Sequence, residues 1–264
     1  MASKKKSFFK SRKFRLISTL VILLIFLGLF GALVYSAKKQ LFTDNKHFTL
    51  RRINVRWGVW WKNHVNELAS IIKVEKGKTN LWNIDYAAAR EKLLQEPTIE
   101  DVSVYKLLPD TLVISITERI PRAFLRYRNG NLLVDENSVI MPADKCITLP
   151  DDLPVIADLS NKKLKVGSKL PEVKGALNFI QEVNTNLKRV KIKWVSLKDR
   201  KIFNTIIYDR KAGRQYHLLI ARKNMEENLG LASLNDLLDN IKNGKVKPGA
   251  NTINLSYKGL VYIK

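Results

Sequence analysis

Hydrophobic and polar positions alternate along most of this chain, but one stretch breaks the pattern. From Leu16 to Ala37 there are 22 residues without a charge, LISTLVILLIFLGLFGALVYSA. A helix lying on a soluble core keeps a polar face, and this run has none. At 1.5 Å per residue it reaches about 33 Å, enough to cross a hydrocarbon core of ~30 Å. The spacing therefore predicts a membrane-spanning helix over 16–37. A cleaved signal peptide is the alternative, but its apolar region would be shorter and end in a small-residue cleavage site, unlike Val34-Tyr35-Ser36-Ala37.

Beyond a short polar spacer at 38–47, the periods shorten. Phe48 to Val55 reads as extended, with alternation at Ile53-Asn54-Val55. Val65, Leu68, Ala69 and Ile72 fall at helical spacing and predict a helix over 62–72. A second helix is expected over 85–95, with Asp85 as N-cap and Pro97 beyond its end. Ile99–Leu107 and Thr111–Glu118 read as strands joined through Pro109-Asp110. Strand–helix–helix–strand–strand describes a small domain at 48–119, with helices on one face of a sheet.

From Pro121 the chain reads as a second, mainly β domain at 120–264 with two helices. A hairpin over 122–135 is centred on Asn129-Gly130, followed by strands at 139–141 and 155–159. Pro171 opens a helix running to Leu187. Strands at 191–198, 203–209 and 214–221 precede a helix over 224–241. The strands Thr252–Tyr257 and Leu260–Ile263 close the chain. The fold class is α+β: a transmembrane helix, a small β-α-α-β-β domain, then the mainly β domain.

Charge adds orientation. The formal net charge is +23, and seven of the 47 basic residues lie in the tail at 1–15, with no acid among them. That block favours a cytoplasmic N-terminus and puts residues 38–264 outside. The remaining excess of Lys and Arg is scattered, as on a solvated basic surface. It also fits an anionic neighbour such as lipid, an envelope polymer or nucleic acid. Trp57, Trp60 and Trp61 are expected to pack first, the alternative being an exposed contact point.

Candidate chemistry is sparse. His47, His64 and His217 fall in a linker, a helix and a strand with no ligand spacing, and Cys146 has no activating neighbour and no partner for a disulfide. No phosphate-binding Gly loop or nucleophile motif is present. We expect no catalytic residue, no metal site and no cofactor.

The string NLWNIDYAAAREKLLQEPTIEDVSVYKLLPDTLVISITERIPRAFL resembles a POTRA domain of the FtsQ/DivIB family of bacterial division proteins. Its matching pieces are Asn80-Leu81, Pro97, Val102-x-Val104, Leu108-Pro109-Asp110-Thr111-Leu112 and Glu118-Arg119-x-Pro121. The end of the chain resembles the family's β-domain through Ile253, Leu255, Tyr257 and Gly259, while Asn254 and Ser256 replace the usual Asp and Arg. Two turns depart from the family pattern: Arg56-Trp57 intervene before Gly58, and Ser138 stands where Gly is usual.

The resemblance implies a non-catalytic, single-pass scaffold of the inner membrane at the division site. Its partners would be coiled-coil membrane proteins of the FtsB/DivIC and FtsL type. The expected contact is strand addition at the C-terminal edge, with Tyr257, Gly259, Leu260, Val261 and Tyr262 as site residues. Two other functions compete: a charge-driven binder of an anionic envelope polymer or nucleic acid, and a POTRA chaperone for outer-membrane assembly. The second would normally continue into a barrel.

Overall fold

In the computed structural model, residues 12–127, 130–145, 152–160, 163–222, 229–246, 251–257 and 260–263 are described. The apolar run is the body of α1 (Arg12–Lys38). It is long and apolar enough to cross a membrane, and none of its apolar window is buried. The Ser18 and Thr19 hydroxyls donate back to the Arg15 carbonyl, so neither leaves a polar group unsatisfied.

Two compact units follow from the contacts. The first comprises the chain through Asn54, then Val65–Ala89 and Val104–Ile114; the second comprises Val55–His64, Arg90–Ser103 and the chain from Ser115 onward. A three-stranded sheet has the order β1-β3-β2, with β1 at Arg52–Arg56, β2 at Ile99–Leu107 and β3 at Thr111–Glu118. The last two strands match their expected limits. The first starts later than expected, because 46–48 coil into a 3-10 turn and Leu50 is pinned by Gly77 and Thr79 main-chain bonds.

In the first unit, α2 (Val65–Ile72) buries Leu68 and Ile72 at the expected spacing. Asp85 caps α3 (Tyr86–Leu93), its carboxylate accepting from the Ala88 N–H at 3.0 Å. Thr111 to Ile114 are all buried, so the centre strand is covered on both faces where strict alternation predicted one. The turn before it holds a cis Leu108–Pro109 bond.

The spacer expected at 38–47 is folded. Residues 39–43 continue α1 as one π turn, and the Asn80 side chain then clamps the chain, donating to the Phe42 and Asn45 carbonyls at 3.0 Å each. Phe42 packs on Trp82 and Phe48, and the Lys106 ammonium sits 3.2 Å over the Trp82 ring. Short polar sequence concealed this, because two of the three anchoring rings come from the spacer and its edge while the third lies far along the chain.

The second unit is built on a nine-stranded sheet in the order β12-β11-β10-β9-β8-β7-β4-β5-β6. Its strands are β4 (Pro121–Tyr127), β5 (Gly130–Asp135), β6 (Ile140–Pro142), β7 (Val155–Ala157), β8 (Val190–Ser196), β9 (Ile202–Asp209), β10 (Arg214–Ala221), β11 (Thr252–Tyr257) and β12 (Leu260–Ile263). The pairs β4–β7, β7–β8 and β10–β11 are parallel, and the other pairs are antiparallel. The β4–β5 pairing is the expected hairpin; Asn129 of its turn lies outside the described residues.

Helix α4 (Lys174–Asn186) follows a 3-10 turn at Pro171–Val173 and lays Leu177, Ile180 and Val183 into the core, with Phe179 stacked on Phe203 at 5.6 Å. Helix α5 (Leu229–Lys242) adds Leu234, Leu237 and Leu238 to the same cluster as Ile253 and Leu255 of β11.

The tryptophans divide. Trp60 and Trp61 are buried, as packing predicts; Trp60 joins Leu133 and Met141, and the Trp61 indole N–H donates to the Thr98 hydroxyl. Trp57 is 85% exposed and takes φ 68°, the left-handed conformation that glycine adopts without penalty.

Candidate functional site

The strand order leaves two edges, and they are finished differently. At β6 the chain covers its own edge: the Ile140 N–H donates to the Ser168 carbonyl, the Gly167 N–H donates to the Ile140 carbonyl, and Val139 bridges Lys169. At the other end β12 pairs only with β11 among the described residues. A strand so placed presents main-chain donors and acceptors to any incoming strand. The expected site residues fall here. Leu260, Val261 and Tyr262 lie on β12, Tyr257 closes β11 opposite Leu260, and Gly259 lies outside the described residues.

Register sets how β11, which carries this edge, joins the sheet. β11 runs parallel to β10, with His217 opposite Thr252 and Ile220 opposite Leu255. Ile253 and Leu255 point into the core, and Thr252, Asn254 and Ser256 take the half-exposed face. On that face the Asn254 side-chain oxygen Oδ1 accepts from both the N–H and the hydroxyl of Ser256. The two residues that replace the family's charges are thus neutral and bonded to each other. A ladder irregularity between Asn254 and Tyr257 leads into the turn to β12.

Where β8 begins and β9 ends lies an ion-pair cluster that pattern reading missed. Arg189 precedes β8; its Nε and Nη2 grip Asp209 at 2.6 Å each, and its Nη1 reaches Asp239 of α5 at 2.5 Å. Nη2 also donates to the Leu238 carbonyl at 3.1 Å. Burial works against the Asp209 charge. The Arg189 hydrogen bonds and the Lys211 and Ala212 N–H groups outweigh it and hold the carboxyl below the usual range. The signal was available in the β8–β9 hairpin, whose register sets Val190 opposite Asp209. Asp239, carried by a helix, could not be found that way.

Residues of the resembling motifs also meet in the second unit. Glu118 accepts from the Trp60 and Trp61 N–H groups at 2.8 and 3.0 Å, and Arg119 pairs with buried Asp135 at 2.7 Å. The histidines stay apart, in a 3-10 turn, before α2 and in β10; Cys146 lies outside the described residues. Among the described residues no group of three or more His, Cys, Asp or Glu side chains could hold a metal ion.

Residues 64–119 match the FtsQ-type POTRA domain family. The chain is similar to the cell division protein FtsQ of Novosphingobium aromaticivorans, 36% identical over 39% of this chain and 32% of that protein. It resembles the cell division protein DivIB of Clostridium acetobutylicum at 23% identity over 81% of both chains. Against FtsQ of Zymomonas mobilis it is 31% identical over 54% of this chain and 45% of the relative. The chain thus spans about a third to a half of the two FtsQ relatives and most of the DivIB relative. An FtsQ-type POTRA domain at 64–119, relatives of both names and an apolar N-terminal helix agree in making the chain similar to the FtsQ/DivIB family of bacterial cell division proteins.

Proposed function

We propose that this chain is a non-catalytic, single-pass scaffold of the division machinery, with α1 as its anchor and the chain beyond it extracytoplasmic. It takes partners by strand addition at β12. The one observation that carries the contact is the asymmetry of the nine-stranded sheet, which is covered by its own chain at β6 and uncovered at β12 among the described residues. Strand addition draws affinity from the main-chain ladder and specificity from alternate side chains. Partners of the FtsB/DivIC and FtsL coiled-coil type, with a short segment free to extend, supply that chemistry. The proposed domains are 48–119 for recruitment and 120–264 for strand addition.

The test is pull-down of the host's FtsB/DivIC-type protein by the full chain in detergent, with wild type, Tyr257→Glu and Val261→Pro compared. Loss of capture by both variants, with melting temperature unchanged, supports the edge. Undiminished capture overturns it. Capture that collapses with rising salt in the wild type itself would favour the charge-driven alternative, since a backbone ladder is far less sensitive to screening.

A further inference from the structure

The first unit contains a cleft at the point where α1 ends. Its volume is about 570 Å³, and its lining includes Thr43, Asp44, Asn45, Lys46, Arg51 and Lys78. Thr43 ends the π turn that extends α1, and Asn83 reaches its carbonyl from across the cleft at 3.5 Å. The cleft is therefore fixed to the helix by the chain itself and by the Asn80 clamp.

Charge within it is unbalanced. Asp44 lies 4.0 Å from Lys39, Glu75 lies 2.7 Å from Lys78, and Asp110, whose charge also acts on Arg51, pairs with Arg52 at 3.0 Å, so each nearby carboxylate has a basic partner of its own. Lys46 and Arg51 remain as the excess cations, both exposed. Position supplies the anion. Thr43 lies six residues past Ala37, the end of the uncharged run, which is at most about 9 Å along a helix. The headgroup layer on each side of a bilayer is roughly 5–8 Å deep, so the cleft opens at the level of the lipid phosphates. Beside it, Phe42, Phe48 and Trp82 form an aromatic cluster at the same level, as interfacial anchors do.

We propose that this cleft binds the phosphate of an anionic phospholipid in the membrane that α1 spans, with Lys46 and Arg51 as the ligand-binding cations. The site rests on the membrane-anchor reading of α1. A bound headgroup ties the first unit to the bilayer surface at a second point beside the helix, which sets the unit's tilt as well as its distance from the membrane.

The experiment uses the full chain in nanodiscs of phosphatidylcholine, alone or in equal parts with phosphatidylglycerol, and follows amide hydrogen exchange at residues 43–49. We expect exchange to slow on the order of tenfold in the phosphatidylglycerol discs, since each cation near an anionic surface contributes a factor of several. In Lys46→Gln/Arg51→Gln, which alters only exposed side chains, exchange stays at the phosphatidylcholine rate while the melting temperature holds. Equal rates in both discs for the wild type, or equal slowing in the variant, overturn the site. Inorganic phosphate in phosphatidylcholine discs is a further arm, and the same slowing there overturns a lipid ligand. Failure of the chain to enter discs at all overturns the anchor and the site together, an outcome distinct from normal insertion without protection.

Discussion

Arg119 and Asp135, 16 positions apart in the sequence, form one ion pair at 2.7 Å, with the aspartate side chain 3% exposed. The other Asp135 oxygen accepts from the Val139 N–H at 2.7 Å, so a single carboxylate joins the start of β4 to the turn after β5. Breaking a buried pair by removing one partner leaves the other charged and desolvated, at a cost of about 3–5 kcal/mol. Asp135→Ala is expected to lower unfolding stability by that order in denaturant titration. A double-mutant cycle with Arg119→Ala should show strong coupling, and additive losses would show that the two side chains act independently.

Ser138 follows in the same turn with φ 63°, buried, its hydroxyl without a hydrogen-bond partner among the described residues. A side chain in the left-handed region costs roughly 1–2 kcal/mol, and glycine removes that cost while adding unfolded-state entropy. Ser138→Gly should therefore stabilise the protein by up to about 1 kcal/mol, read as a raised denaturation midpoint. A loss of stability would mean that the hydroxyl is satisfied in solution.

Asn80 donates both amide protons to the main chain of 42–45 and accepts from the Trp82 N–H at 2.8 Å. Asn80→Ala strands half-buried carbonyls and should cost about 1 kcal/mol. Its more telling readout is faster hydrogen exchange confined to 39–48, as the clamped turn becomes the loose spacer that its composition suggests. Uniform exchange across the first unit would assign Asn80 to the general core instead.

Two of the carboxylates held below their ordinary values, Asp152 and Asp209, contribute to the acid response. Hydrogen bonds from Lys191 and then Lys193 hold the exposed Asp152 carboxyl at about 2, and Asp209 is also held below its ordinary value. In the unfolded chain both titrate near ~3.9, so the unfolded state binds more protons below that pH. The stability these groups contribute is complete well above pH ~4 and falls as pH drops toward each folded value. Asp209→Asn should be less stable than wild type at neutral pH, with a shallower decline in stability below pH ~4. Parallel declines in the two proteins would remove Asp209 from the acid response.

At the proposed edge, Tyr257→Glu and Val261→Pro are expected to abolish partner capture without lowering the melting temperature. Alanine at Val261 should weaken capture only a few-fold, because it spares the main-chain ladder. Equal effects of Val261→Ala and Val261→Pro would mean that side-chain packing, not strand addition, makes the contact.

Much of this protein was legible along the chain. The uncharged run of 16–37 needs no partner to read as a membrane-crossing helix, because length and the absence of a polar face are local properties. Ile99–Leu107 and Thr111–Glu118 were readable to the residue, as was the Asp85 cap, since period and capping act over a few positions. Side-chain period could not show that, among the described residues, β12 is left uncovered while β6 is closed by 167–170, that Arg189 reaches a helix fifty residues on, or that Asn80 folds the spacer onto Trp82. Those relationships join residues remote in sequence through main-chain groups and charges that carry no periodic signature. They arise only once the sheet order and the helix positions have brought them within hydrogen-bonding reach.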